Sequence, residues 1–347
     1  MPTHPLLARA RSLGNPIIDG DLATLVWQGT SPPHVIDDLH NWDEAPQKML
    51  RAGAALWYLS ISLPADAYLE YAFIESRTSK RLPDPLNPNQ VRKGAGVYNH
   101  YFYMPEGKPS PLVLPIKGIE HGTVTRHSVP TLDFAVGTQR TVYLYHPPVK
   151  KSVPLLFVYD GADYLRQAKL NVIVDNLIAE KRIPPFAMAM IQNGGAAARS
   201  VEYSCAESTL GLLTECVLPA ARENLNLEPI KKGGYGIMGA SLGGSMALFT
   251  ALRMPEVFRK VLSQSGAFIA PDYQYVVVDL VRHFPTPDID IWMDTGRLEW
   301  LLDGNRQMFV LLKEKNYRVK YNEFAAGHNY TAWRNDVAHG LEYLYGK

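Results

Sequence analysis

Gly239-Ala240-Ser241-Leu242-Gly243-Gly244 is preceded by an apolar run, Tyr235, Ile237 and Met238, and followed by the helix-like stretch Ser245 to Arg253. A strand that turns sharply into a helix at a serine flanked by glycines is a nucleophile elbow. The serine sits in strained backbone there, so the residues two before and two after it must lack bulk for the turn to close. Gly239 and Gly243 hold those places around Ser241. Ser241 is therefore expected to be a covalent nucleophile, and the rest of the chain must supply its partners.

A serine hydroxyl is a weak nucleophile until a base takes its proton. In α/β-hydrolase order an acid and then a histidine follow the serine. Only His283, His328 and His339 lie downstream. His328 falls in Ala325-Ala326-Gly327-His328-Asn329-Tyr330, a loop between the last expected strand (Arg318 to Phe324) and the last expected helix (Trp333 to Tyr345). It is the expected base; His283 precedes a proline-rich break and His339 lies within the helix. The acid must follow the strand expected at Ile289 to Met293. Spacing ranks Glu299, then Asp294, then Asp303, without separating them, and each is equally readable as a solvated turn or helix-start carboxylate. Two backbone N–H groups must hold the oxyanion. Leu242 should supply one and Gly161 or Ala162, in the loop Tyr159-Asp160-Gly161-Ala162, the other. A small residue there admits the substrate carbonyl, and Asp160 organises the loop.

The wider chain fits a globular enzyme. It has 347 residues, net charge +1, 46% hydrophobic and 20% charged residues, which gives no electrostatic case for nucleic acid or an anionic membrane. No apolar run approaches about 18 residues, so no membrane span is expected. The first sixteen residues lack the apolar core of a secretory signal. Cys205 and Cys216 are the only cysteines, and a helix between them would hold them roughly 16 Å apart, beyond disulfide reach. Free thiols without a signal point to the cytoplasm.

Residues 1–115 read as a β-sandwich: short apolar segments (Ala23 to Trp27, His34 to Ile36, Leu56 to Leu63, Tyr68 to Ile74, Tyr98 to Tyr103) lie between Pro, Gly, Asp and Asn clusters. Pro64-Ala65-Asp66 reads as a hairpin break between two of them. Glu106 to Pro115 carries three prolines and one glycine and marks the boundary. Residues 116–347 alternate strands with helices, starting with a strand at Val136 to His146, and predict a mostly parallel sheet covered by helices. Two patterns compete. Gly234, Gly236 and Gly239 spell GxGxxG, but that fingerprint should follow a strand, and here its middle is the strand. His121 and His127 share a face of a possible strand, but no third ligand accompanies them, and no metal or other cofactor is expected.

Four stretches carry a family resemblance: LLFVYDGADY (155–164), RSVEY (199–203) with ECVLP (215–219), GASLGGSMALFTALRMPEVFRKVLSQSGAF (239–268) and AGHNYTAWR (326–334). They resemble the esterase family that includes enterochelin esterases, S-formylglutathione hydrolases and feruloyl or acetylxylan esterases, within the α/β-hydrolase superfamily. The enterochelin esterase-like branch is the nearest. VWQG (26–29), DLHNW (38–42), Trp57, Leu69 to Phe73 and DPLNP (84–88) look like that branch's N-terminal immunoglobulin-like early-set domain, itself similar to glycogen-binding modules. The resemblance implies a serine esterase with an α/β-hydrolase fold, and it places the acid three residues after a strand-ending glycine. Gly296-Arg297-Leu298-Glu299 fits that position. It also puts Arg199 at the active site, with Asp160 and Trp333 as further substrate-binding residues; a salt bridge of Arg199 with Glu202 is the plainer reading. The implied partner is a small-molecule ester, aryl or catecholate among the candidates; a homodimer is one candidate assembly, and the sequence leaves the oligomeric state open. A feruloyl or acetylxylan esterase is the alternative activity, and a non-catalytic glycan- or partner-binding protein the alternative of another class.

Overall fold

The computed structural model describes residues 4–75, 78, 80–94, 97–230, 233–270 and 273–346. The chain divides into two compact units. The smaller comprises the residues up to Pro109 together with Gly296–Trp300 and Phe324–His328; the larger comprises Ser110–Thr295, Leu301–Glu323 and the chain from Asn329 onward. The division at Pro109 has a local reason. The Asn176 side chain donates to the carbonyls of Leu112 and Leu114 and accepts from Ile116 N–H, while Ser110 N–H donates to Asn335. The proline-rich segment is thereby fastened to the larger unit.

The larger unit is built on eight strands, numbered within it: β1 (Thr123–Pro130), β2 (Gln139–His146), β3 (Leu155–Val158), β4 (Ala187–Ile191), β5 (Tyr235–Ala240), β6 (Phe258–Gln264), β7 (Asp290–Gly296) and β8 (Arg318–Phe324). They lie in the order β1-β2-β4-β3-β5-β6-β7-β8. The β1-β2 and β2-β4 pairs are antiparallel, and the run from β4 through β3, β5 and β6 to β7 is parallel. Parallel neighbours require crossovers, which helices provide. Strands covered on both faces read as continuous apolar runs; Leu155–Val158 and Ala187–Ile191 are buried throughout. Successive side chains point to opposite faces. Ile237, Val261, Ile291 and Met293 pack with Met246, Ala247, Val277 and Met308. On the other face Leu262 and Trp292 lie against Gly340, where a Cβ would approach both to 2.7 Å.

The strand expected from Val136 begins only at Gln139, because 131–138 form the turn of the β1-β2 hairpin, closed by Thr131 N–H donating to Thr138 O. The helix expected from Ala206 to Asn226 contains a π-helical stretch, Leu212–Val217. Cys205 and Cys216 are both buried and free, and burial pushes the Cys205 thiol up to about 11. Among the described residues no helix is long and apolar enough to cross a membrane.

In the smaller unit, Ile17–Asp19, Leu22–Gln28, Leu56–Ser62 and Leu50–Gly53 form one antiparallel sheet; Gln47–Lys48, His34–Asp37, Tyr68–Ile74, Val97–Tyr103 and Gln90–Gly94 form a second, with Arg81–Leu82 on Tyr68–Ile74. One cluster takes Leu25 and Ile61 from the first sheet and Val35, Leu69, Tyr71, Phe73 and Phe102 from the second, so the inward faces of two sheets share a core. Pro64-Ala65-Asp66 is consequently not a hairpin. It carries the chain from one sheet to the other, with Leu63 N–H donating to Asp21 O and both Leu63 and Ala67 buried at the crossing.

Candidate active site

The elbow lies between β5 and the helix Leu242–Arg253. Ser241 has φ 60° and ψ −125°, a region that costs a non-glycine residue about 1–3 kcal/mol. The surroundings over-determine it. Ser241 N–H donates to Gln264 O at 2.9 Å, and its carbonyl accepts from Gly244, Ser245 and Ala267 N–H at 2.9, 3.2 and 3.0 Å. The flanking glycines are not equivalent. A Cβ at Gly239 would stand 2.4 Å from the Gly243 carbonyl oxygen, whereas one at Gly243 would meet nothing nearer than Tyr159 Cβ at 3.3 Å. Gly239→Ala is therefore expected to cost about 3 kcal/mol through backbone overlap, and Gly243→Ala no more than about 1 kcal/mol. Equal losses in chemical denaturation would contradict this asymmetry. Gly236, the middle of the GxGxxG pattern, has a packing reason of its own: a Cβ would fall 2.0 Å from the Tyr345 hydroxyl.

Val158 of β3 lies opposite Met238 of β5, so the turn after β3 emerges beside the elbow. Asp160 occupies the left-handed region, φ 51° and ψ 37°, at the head of the helix Gly161–Arg166. Gly161 is required by packing: a Cβ would fall 2.2 Å from the Met190 carbonyl carbon of β4. The buried Asp160 carboxylate accepts from Asn193 Nδ2 at 2.7 Å, Arg199 Nε at 2.9 Å and Arg199 Nη2 at 2.7 Å. Arg199 Nη2 also donates to Ala240 O at 3.2 Å. One guanidinium thus ties the turn after β3 to the last residue of β5. Burial works against its charge, but the hydrogen bonds and charge of Asp160 outweigh that and raise its pKa. The Arg199–Glu202 pair read from sequence proximity does not form. Glu202 is buried with Arg140, Oε1 to Nη2 at 2.7 Å, and β2 supplies that arginine from far along the chain.

The first N–H groups of a helix have no intrahelical acceptor. Gly161, Ala162 and Leu242 hold such positions, whereas Asp163 and Gly244 N–H donate to Asp160 O and Ser241 O. Trp333, expected to meet substrate, is 4% exposed; its indole N–H donates to Ser265 Oγ at 2.9 Å and its carbonyl accepts from Gln264 Nε2 at 3.1 Å.

The segments after β7 and β8 meet within the smaller unit. Glu299 Oε2 lies 2.5 Å from His328 Nδ1, and Glu299 Oε1 accepts from Gly296 N–H at 3.0 Å. Arg297 N–H donates to Phe324 O and Leu298 N–H to Ala326 O, which clamps the two segments together. Gly296 is needed for this crossing, since a Cβ would fall 2.2 Å from Ala326 O. The pair rests on the β-sheets below it. Tyr68 N–H donates to Ala325 O at 2.9 Å, Arg297 pairs with Asp66 at 2.9 Å, and Leu298 and Ala325 belong to the smaller unit's core. Gly327 lies directly on Asp38, whose carboxylate accepts from Glu70 N–H at 2.9 Å and Trp42 Nε1 at 3.2 Å. The other two acid candidates lie elsewhere. Asp294 is fully buried in β7, bonded to Trp292 Nε1 and Gln264 Nε2, and Asp303 is exposed beside Arg306.

Sequence reading missed Asn193, which follows β4 in a position marked only by a polar residue after a buried run. It also missed Tyr203, whose hydroxyl accepts from Asp160 N–H, and Trp300, the neighbour of Glu299. Of the paired histidines only His127 is in a strand; it bonds Thr125, while His121 precedes β1 and pairs with Asp175. Among the described residues no group of three or more His, Cys, Asp or Glu side chains could hold a metal.

Comparison with known proteins adds a family. Residues 135–344 match the family described as "Putative esterase". The iron(III) enterobactin esterase of Dickeya dadantii is 26% identical over 228 residues, 59% of this chain and 52% of that protein, so the match spans about half of the relative's length. The crystal structure of the ferric enterobactin esterase of Salmonella typhimurium superposes with a TM-score of 0.79 at 21% identity, covering 95% of this chain and 96% of that one. A ferulic acid esterase of Anaeromyces mucronatus gives a TM-score of 0.56 at 14% identity, with 69% and 96% covered. These likenesses show the α/β-hydrolase-type fold.

Proposed function

Because the chain belongs to the esterase family and is a carboxylic ester hydrolase, we propose that Ser241, His328 and Glu299 are its catalytic triad. The observation that carries this reading is the strained backbone of Ser241 at the end of β5. A chain holds a non-glycine residue in such a conformation only where neighbouring structure enforces it, and these places cluster at active sites. The Glu299–His328 bond supports it from the other side. The chain order, serine after β5, acid after β7, histidine after β8, is that of the α/β-hydrolase triad.

In the proposed reaction His328 Nε2 takes the Ser241 proton while Oγ attacks the ester carbonyl. Glu299 holds the imidazole with its hydrogen on Nδ1 and stabilises the imidazolium that forms. The N–H of Leu242 and that of Gly161 or Ala162 receive the oxyanion. His328 then protonates the leaving alkoxide, and water attacks the acyl-enzyme with His328 again as base. Arg199 and Asp160 fix the turn that carries the second N–H, and the quarter of the Arg199 side chain left exposed can meet an anionic substituent.

The substrate we infer is an aryl or catecholate ester, and the smaller unit is read as an immunoglobulin-like early-set domain. Both inferences rest on the end-to-end likeness to an enterobactin esterase, against the partial coverage by a ferulic acid esterase. A fluorophosphonate should label the wild type once per chain, on the peptide carrying Ser241, and leave Ser241→Ala unlabelled. Labelling elsewhere would remove the triad, and glycan affinity without labelling would favour a non-catalytic binding protein. A panel of p-nitrophenyl acetate, a catecholate trilactone, feruloyl esters and acetylated xylan should rank the trilactone above the xylan; the reverse order would move the assignment to a carbohydrate esterase.

A further inference from the structure

Trp300 lies against the His328 ring, with centroids 4.5 Å apart and planes inclined at 42°. It is 43% exposed, although Leu298, Glu299 and Leu301 around it are buried. Its exposure is therefore not that of a loose loop: the turn is held by Leu298 N–H on Ala326 O and by Glu299 on Gly296 N–H. An indole offers a large rigid apolar face at small cost in conformational entropy, which suits it to recognition. Here such a face stands open beside the proposed general base.

We propose that Trp300 is a specificity-determining platform on which an aromatic ring in the alcohol part of the ester stacks. The inference rests on the triad reading above. His328 accepts the Ser241 proton, and the same Nε2 returns it to the leaving oxygen as the C–O bond breaks. The moiety next to the imidazole is accordingly the departing alcohol and not the acyl group. A ring stacked on Trp300 would hold that oxygen within reach of the proton. An offset or edge-to-face aromatic pair favours an aryl alcohol over a saturated one of the same shape by about three- to tenfold.

Benzyl acetate and cyclohexylmethyl acetate share an acyl group and nearly the same alcohol outline, and differ in aromaticity. Wild-type kcat/KM should favour the benzyl ester. Trp300→Leu should lower benzyl ester turnover about three- to tenfold more than it lowers cyclohexylmethyl ester turnover, with the difference mainly in KM. Trp300→Phe keeps an aromatic face and should retain the preference, which protects the test if the leucine variant folds poorly. A wild type without preference, or a Trp300→Leu loss equal on both esters, would overturn the platform. Ser241→Ala run alongside separates the two ideas: turnover retained in that variant sinks the triad, whereas its loss together with indiscriminate Trp300 variants sinks the platform alone.

Discussion

Ser241→Gly should abolish ester hydrolysis and at the same time make the protein more stable. Removing a triad serine costs about five to six orders of magnitude in kcat, and the hydrogen bonds of the Ser241 N–H and carbonyl to Gln264, Gly244, Ser245 and Ala267 are all backbone to backbone, so the turn survives. At φ 60° and ψ −125° a side chain costs about 1–3 kcal/mol that glycine does not. Against that, glycine loses about 0.5–1 kcal/mol more in chain entropy on folding. The net gain should raise the melting temperature by a few degrees. Ser241→Ala keeps the strained Cβ and should be equally inactive with little change in melting temperature. Hydrolysis that persists in either variant removes Ser241 from the chemistry. A glycine variant less stable than the alanine variant would mean that the strain is not stored there.

The elbow is legible in the sequence because its signal is local. Glycine spacing, a buried strand before it and a helix after it all lie within about twenty residues, and the steric demand acts between neighbours. The parallel sheet is legible for a similar reason, since strands covered on both faces must be continuously apolar. What is hidden depends on partners distant in the chain. Arg199 looks paired with Glu202 three residues away, yet the buried carboxylate of Asp160 takes it and Arg140 takes Glu202. Glycines 239 and 243 look alike, but only one faces backbone at 2.4 Å. The packing demand of β4 on Gly161 is likewise not visible in the sequence. The support of the His328 segment by Asp38 and Tyr68 is invisible in sequence, because more than 250 residues separate the contacts and the stretch DLHNW (38–42) does not say what Asp38 meets.

The three acids left open by spacing are separated by their surroundings, and the separation predicts opposite mutational outcomes. Glu299→Gln should lower kcat by about 10⁴-fold. Gly296 N–H needs an acceptor, so the amide oxygen would take the place of Oε1 and its NH2 would face His328 Nδ1. A donor there forces the imidazole hydrogen onto Nε2, the atom that must receive the serine proton. Asp294→Asn should leave kcat within about tenfold, because the Asp294 carboxyl is engaged by Trp292 Nε1 and Gln264 Nε2 while Glu299 is the carboxylate on His328 Nδ1, and burial favours the uncharged form of a carboxyl. Burial first, and then the neighbouring charge of Asp336, raise its pKa well above the usual carboxylate range. The sign of the linkage offers an independent check. A carboxyl whose pKa is raised by folding binds a proton that the unfolded chain releases, so its contribution to stability is present below about pH 4 and declines as pH rises toward the folded value. Asparagine has no such proton to lose. The stability of Asp294→Asn relative to wild type should therefore climb as pH rises from about 4 toward the raised folded value. A flat difference would show Asp294 ionised in the native state, and a kcat loss there as large as that of Glu299→Gln would make Asp294 the acid that serves His328.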